Sequence, residues 1–312
     1  MSTPLEFVKS FRSQLQVAGI EAALTSGLAC VHYGLQQSTK DSDWIIKAQN
    51  LAGLRSFLAK KEGELPPWRV SYRQICGAPL EAEYLRNGWS SHLGVWDEAA
   101  SPEHHLDFFS APPRVKEAIS DSDGWCSREV VAMMKKTDRE KDWPMVDGLG
   151  WQMASIGEGQ ALVHVQDETR LLGLWRAASP LEKLSASARR PLLRLLDREH
   201  EPDAIFALVR TERAIWECVN QERYGAYQTT WKAFYRRWRA EEDWHWPTEE
   251  AFDSQHKRLV EAATKHALPA DPIGDIGKTQ LLERALRRAS IRTGAPPERI
   301  AELSPPAAEL LP

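Results

Sequence analysis

The sequence has little cysteine and no pattern that would give cysteine a structural task. Cys30, Cys76, Cys126 and Cys218 lie far apart, and no Cys-x-x-Cys pair occurs. That spacing excludes a zinc ribbon and a disulfide framework and fits a reducing compartment, so a cytoplasmic location is expected. Long apolar runs are missing too. No stretch of about 18 apolar residues occurs, and the opening MSTPLEFVKSFRSQ lacks an apolar segment, so neither a membrane span nor a signal peptide is expected. Positive charge is not in excess: 40 Lys and Arg stand against 44 Asp and Glu, a net charge of -4. No overall field draws the chain to nucleic acid or to an anionic membrane, so any such contact has to be local. Neither a Gly-x-Ser-x-Gly elbow nor a His-Glu-x-x-His helix is found. The stretch Gly274-Asp275-Ile276-Gly277-Lys278-Thr279 fails as a Walker A loop, because Pro272 stands where its first glycine is needed.

What is present suffices for a packed fold. The 312 residues are 42% hydrophobic and 27% charged and include 13 tryptophans, which concentrate burial surface in few residues. Thr3-Pro4-Leu5-Glu6 reads as a capping box, followed by Phe7, Val8, Phe11 and Leu15 at helical spacing to about Ala18. A short apolar stretch, Ile20 to Leu24, then stops at Thr25-Ser26-Gly27, and Leu28 to Tyr33 forms a short helix ended by Gly34. Strands are expected over Lys40 to Ile46, Trp68 to Tyr72, Ala82 to Leu85, His92 to Trp96 and His105 to Phe109, with a helix over Leu51 to Lys61. After Ala111-Pro112-Pro113 helix starts dominate: Ser127 before Arg128-Glu129, the capping box Ser179-Pro180-Leu181-Glu182, and Thr248 before Glu249-Glu250. The expected class is α+β, a mixed sheet with helices in an N-terminal domain and a mostly α-helical remainder. Boundaries are placed at 1–115, 116–178 and 179–312, with a frayed end from Ser304 to Pro312.

The chemistry-bearing stretch is Thr25-Ser26-Gly27 followed by Ser38-Thr39-Lys40-Asp41-Ser42-Asp43-Trp44. Side chains two apart on a strand share a face, so Asp41 and Asp43 present adjacent carboxylates, which repel unless a cation lies between them. Magnesium suits such a pair because it takes hard oxygen ligands and completes its shell with water and phosphates. The small-residue turn leads into a helix N-terminus, which offers N–H groups to a phosphate. Asp107 in His104-His105-Leu106-Asp107-Phe108-Phe109 is the best third carboxylate, with Leu106 and Phe108 toward the core; Asp97, Glu98 and Glu103 are rivals. Adjacent His104 and His105 face opposite sides of a strand, so at most one can join Asp107.

At these residues the chain resembles the nucleotidyltransferase superfamily of the DNA polymerase β type, in particular its small bacterial and AbiEii toxin-like branches. The resemblance covers roughly residues 5–150. Thr25-Ser26-Gly27 stands where the family has a Gly-Gly turn, and Asp41, Asp43 and Asp107 stand at its three carboxylates. Two departures are Ser26 for the first glycine and Ser42 between the aspartates, where an apolar residue is usual. Lys135-Lys136-Thr137-Asp138-Arg139-Glu140-Lys141-Asp142 is similar to a basic helix with Lys-Asp that follows the sheet in AbiEii-like members. The resemblance implies a nucleotidyltransferase-type fold that moves an NMP from an NTP to a hydroxyl acceptor with Mg2+ or Mn2+. Asp41, Asp43 and Asp107 are then catalytic metal ligands, and Ser26, Gly27, Thr39, Lys135, Lys136 and Lys141 bind the nucleotide. A tRNA, a protein or a small molecule is the acceptor. A catalytically inactive module of the same fold is the alternative, and the helical C-terminal part is a candidate protein-binding region.

Two further features stand apart from that pattern. Arg73, on the polar face of its strand, is an additional candidate, while Lys135, Lys136 and Lys141 also read as the wet face of a helix. Tyr224, Tyr227, Trp231, Phe234, Tyr235 and Trp238 recur at helical spacing with Lys232, Arg236, Arg237 and Arg239 between them. Such a stripe either packs a core with solvated cations or offers aromatic platforms to a single-stranded nucleic acid.

Overall fold

The computed structural model describes residues 4–65, 67–97, 103–117, 120–199 and 201–311. Five strands, β1 Ala22–Thr25, β2 Asp41–Ile46, β3 Arg69–Tyr72, β4 Ser90–Trp96 and β5 His104–Phe109, form one sheet in the order β1-β2-β5-β4-β3. The β2–β5 pair is parallel and the other neighbours are antiparallel, so the sheet is mixed and the class is α+β. Early helices are α1 Pro4–Val17, α2 Ser26–His32, α3 Leu51–Glu62 and α4 Ala82–Leu85. After the sheet come α5 Arg128–Lys135, α6 Trp143–Ser155, α7 Ala161–His164, α8 Glu168–Ala177 and α9 Pro180–Arg189. The chain ends in α10 Pro202–Arg239, α11 Phe252–Lys265, α12 Pro272–Ile276, α13 Lys278–Thr293, α14 Pro297–Leu303 and α15 Ala307–Leu310. No helix among the described residues is long and apolar enough to cross a membrane.

Contacts divide the chain into two compact units. One takes Met1–Pro112, Ala118–Cys126 and Ala226–Asp275; the other takes Pro113–Glu117, Ser127–Gly225 and Ile276–Pro312. In the first, strand alternation sorts the sheet into two faces. Along β5, His104, Leu106 and Phe108 are buried while His105, Asp107 and Phe109 are half-buried. The apolar stripe of α1 covers the buried face: Phe7 stacks on His104 with ring centroids 3.8 Å apart, and Phe11 meets Trp44 edge-on at 5.2 Å. Each such buried aromatic or leucine contributes about 1.5–3 kcal/mol. Ser42, a polar residue on that buried face, is satisfied there: its Oγ donates to the His105 carbonyl at 2.8 Å and accepts from Trp44 Nε1 at 3.0 Å.

The segment Ala226–Asp275 returns to the same sheet. Gln255 of α11 lies along the β3 edge, its amide donating to the Val70 carbonyl (2.9 Å) and accepting from the Tyr72 N–H (3.0 Å). A side-chain amide thereby takes the place of a neighbouring strand and closes an edge open to pairing. In the second unit, the buried Arg190 pairs with buried Glu212 at 2.8 Å and donates to the carbonyls of Leu162 and Val165.

Several local expectations hold. Gly19 and Gly34 adopt the left-handed conformation of helix stops, Ser127 caps α5, and the Ser179 capping box is present. Others are corrected. Ala82–Leu85 is a helical turn and no strand: consecutive Tyr84 and Leu85 are both buried, which a turn of helix permits and a pleat does not. The helix expected from Thr248 begins instead at Phe252 after Ala251, whose backbone is extended. The end is not frayed through Leu311, because Leu303, Leu310 and Leu311 are buried and Glu309 pairs with Arg189 at 2.9 Å. Thr3 and Pro312 lie outside the described residues.

Ser26 opens α2 with φ 52, a conformation that suits glycine and strains a residue carrying Cβ. Ser26→Gly is therefore expected to raise stability by about 1 kcal/mol, visible as an upward shift of the thermal midpoint; a downward shift would show that the serine side chain holds the turn.

Candidate functional site

Register decides which polar side chains meet on the second face of the sheet. Asp41 and Asp43 project together from β2, and the parallel pairing with β5 sets Asp43 beside Asp107 and Asp41 beside His105. On the far side β4 sets His92 beside Asp107, and on the near side β1 sets Thr25 beside Asp43. One row thus runs Thr25, Asp43, Asp107, His92 across four strands. Arg73, directly after β3, extends it, with its N–H donating to the His92 carbonyl at 2.9 Å.

Carboxylates so placed need positive charge or donors. Asp107, 15% exposed, meets His92 Nδ1 at 2.6 Å, and His92 Nε2 meets Ser90 Oγ at 2.8 Å. Asp41, 51% exposed, meets His105 Nδ1 at 2.7 Å, while Glu103 lies 3.6 Å from His105 Nε2. Each histidine is therefore gripped at both ring nitrogens and holds its carboxylate in a fixed direction. Arg73 Nη1 stands 3.9 Å from Oδ1 of Asp41 and 3.9 Å from Oδ1 of Asp107, so one guanidinium bridges the two acids. Among the described residues no three His, Cys, Asp or Glu side chains already converge as a metal-ligand set.

The small-residue turn adjoins this row, since Ser26 follows Thr25 and Thr25 stands beside Asp43. Gly27 is close to the segment that leads into β2: a Cβ there would lie 2.9 Å from Thr39 Oγ1, and Gln36 Nε2 donates to the Gly27 carbonyl at 3.1 Å. Thr39 Oγ1 donates to the Asp41 carbonyl at 3.3 Å. Ser26, Gly27, Thr39, Asp41, Asp43 and Asp107 thus belong to one region of the first unit.

Of the rival acids, Asp97 lies on the core side, 3.6 Å from His104, whose ring burial holds its pKa down. Glu103 is on the same face as Asp107 but serves His105, and Glu98 lies outside the described residues. His105 joins the carboxylates and His104 does not, as strand alternation requires. Sequence reading missed His92 and Ser90. Their signal is the spacing Ser-x-His on a strand whose other face is apolar, which gains meaning only once β4 is known to flank Asp107.

The lysines lie in the second unit. Lys141 is exposed, but Lys135 and Lys136 are buried rather than a wet helix face. Lys135 pairs with the fully buried Asp142 at 3.2 Å; Lys136 donates to the Val163 carbonyl at 3.2 Å and lies 4.5 Å from the Trp216 ring. The chain matches no protein-family model and no curated protein.

Two outcomes are expected. Burial pushes the Lys136 ammonium down to about 7 from 10.5. Between those values unfolding takes up a proton, so stability rises with pH; Lys136→Met should flatten that rise by up to about 1.4 kcal/mol per pH unit, measured by urea midpoints across the interval. Arg73→Met leaves Asp41 and Asp107 without their shared cation. At low ionic strength it should cost about 1 kcal/mol, and added Mg2+ should recover more of the melting temperature in this variant than in the wild type. Equal Mg2+ effects on both proteins would mean that the guanidinium does not stand in for a cation.

Proposed function

We propose that the chain is a divalent-metal-dependent nucleotidyltransferase of the DNA polymerase β type, moving an NMP from an NTP to a hydroxyl acceptor. The observation that carries this reading is the register of β2 on β5, which sets the remote Asp107 beside Asp43 and two residues from Asp41 on the same face. The donor set fits Mg2+ or Mn2+: the carboxylates are hard oxygen ligands, and the positive charge of Arg73 between two of them marks a place where a cation is favoured. Cations held there would lower the pKa of the attacking hydroxyl and stabilise the leaving pyrophosphate.

The chain's own part is positioning. Asp41, Asp43 and Asp107 hold the charge, while His105 and His92 fix two of those carboxylates in direction. Arg73 is placed to neutralise either the acids or an incoming phosphate. Ser26, Gly27 and Thr39 form the adjoining turn on which the triphosphate would lie. The reading rests on the first unit alone. A second reading, a catalytically inactive module of the same fold, is favoured by Arg73, which already supplies the charge between Asp41 and Asp107.

Incubation with α-labelled NTPs, Mn2+ or Mg2+ and a cell extract separates the two. Wild-type protein is expected to transfer label, and Asp43→Asn or Asp107→Asn to transfer at least about a hundredfold less. If the wild type neither transfers label nor binds an NTP calorimetrically, the enzyme reading is lost. If Arg73→Met alone is active, the inactive-module reading holds for the natural sequence.

A further inference from the structure

The last turns of α10 carry Lys232, Arg236 and Arg239, spaced four and three residues apart and therefore on one face, spanning about 10 Å of helix axis. All three are exposed, and with Tyr235 and Ala240 they line a hollow of about 480 Å³. None forms an ion pair with a carboxylate among the described residues. The contrast with other parts of the chain is plain: Arg189, Arg190, Arg213, Arg288 and Arg292 each face a glutamate. In a chain of net charge -4, three cations on one face without counter-ions are a local positive strip.

The aromatic residues beside them are divided. Tyr227, Phe234 and Trp238 are buried and pack the core, whereas Trp231 and Tyr235 are half-buried and stack on each other at 4.7 Å. Arg239 lies over Trp244 at 5.8 Å. The strip is also tied to the carboxylate row within the same unit. The Tyr235 hydroxyl accepts from Gln74 Nε2, and Gln74 follows Arg73, which bridges Asp41 and Asp107.

We propose that this strip binds the phosphodiester backbone of a single-stranded nucleic acid and leads its terminal hydroxyl toward the carboxylate row. The binding site stands on the strip itself; that the bound strand is the acceptor rests on the nucleotidyltransferase reading. Cations neutralise phosphates without reading bases, so recognition is independent of sequence and strongly dependent on salt. With three phosphates neutralised, log K should fall with log salt at a slope of about -2, a loss of about twentyfold between about 50 and 200 mM salt.

The test is fluorescence anisotropy of the full chain with labelled RNA and DNA of mixed sequence, about 15 nucleotides long, and with a glutamate-rich peptide. Binding of either polynucleotide with that salt slope is expected, and it should fall at least about tenfold in Lys232→Gln/Arg236→Gln/Arg239→Gln. The control Lys9→Gln/Lys257→Gln/Arg287→Gln removes the same charge elsewhere and should bind like the wild type. The proposal is overturned if neither polynucleotide binds, if the two triple variants lose equally, or if the acidic peptide binds as tightly as RNA. Asp43→Asn should bind the strand undiminished and transfer nothing. Strand binding that depends on the strip, with no transfer by any protein, would remove the transferase reading and leave the strip's ligand assigned. Transfer to a protein or small molecule without strand binding would do the reverse.

Discussion

Two carboxylates set side by side on a β-ladder repel each other, and the first unit accepts that repulsion where β2 runs parallel to β5 with Asp43 beside Asp107. Much of the surrounding polar face answers this one placement. His92 and His105 each take a carboxylate on one ring nitrogen and a second partner on the other, and Arg73 spans the acids from the third strand over. The opposite face supplies the rigidity that such an arrangement needs: Trp44, Ile46, Leu106 and Phe108 are fully buried and alternate with the polar row. A shift of one residue in the β2–β5 register would turn both sets inside out, so the apolar face and the charged face specify each other.

The second unit handles buried charge differently. Its ionisable groups are spent on one another: Lys135 on Asp142, Arg190 on Glu212, and His164 with Arg189 on Glu129. Burial disfavours the charged Glu129 carboxylate, yet His164 and the Arg189 guanidinium outweigh that and hold its pKa low. Breaking such a pair strands a buried charge and costs about 3–5 kcal/mol, although the intact pair is a weak source of stability. These groups therefore read as fixing how helices pack, whereas the first unit keeps its polar groups on a partly exposed sheet face and its strip of cations in solvent.

The features legible in the sequence are those carried by a few consecutive residues. The spacing of Phe7, Val8, Phe11 and Leu15 announced α1, the alternation in His104 to Phe109 announced which side Asp107 takes, and the Ser179 box announced the start of α9. Ala82 to Leu85 misled because four residues are too short for period two and period 3.6 to be told apart. The buried state of Lys135 and Lys136 was hidden because a Lys-Lys pair near a helix end usually faces water, and it takes Asp142 beside Lys135, and the Val163 carbonyl and Trp216 ring beside Lys136, to make an interior position tolerable.

By itself the sequence determined the period of each element, and hence that Asp41 shares a face with Asp43 and that His104 and His105 cannot share one. It also fixed the absence of motifs and of long apolar runs, because those are properties of adjacent residues. The tertiary structure decided the neighbours: His92 and Arg73 beside Asp107, Gln255 sealing the β3 edge, and the return of Ala226–Asp275 to a sheet begun some two hundred residues earlier. Those contacts join segments far apart in the chain, and what selects them is the shared burial of apolar faces and the mutual compensation of charge, neither of which leaves a mark on any one local stretch.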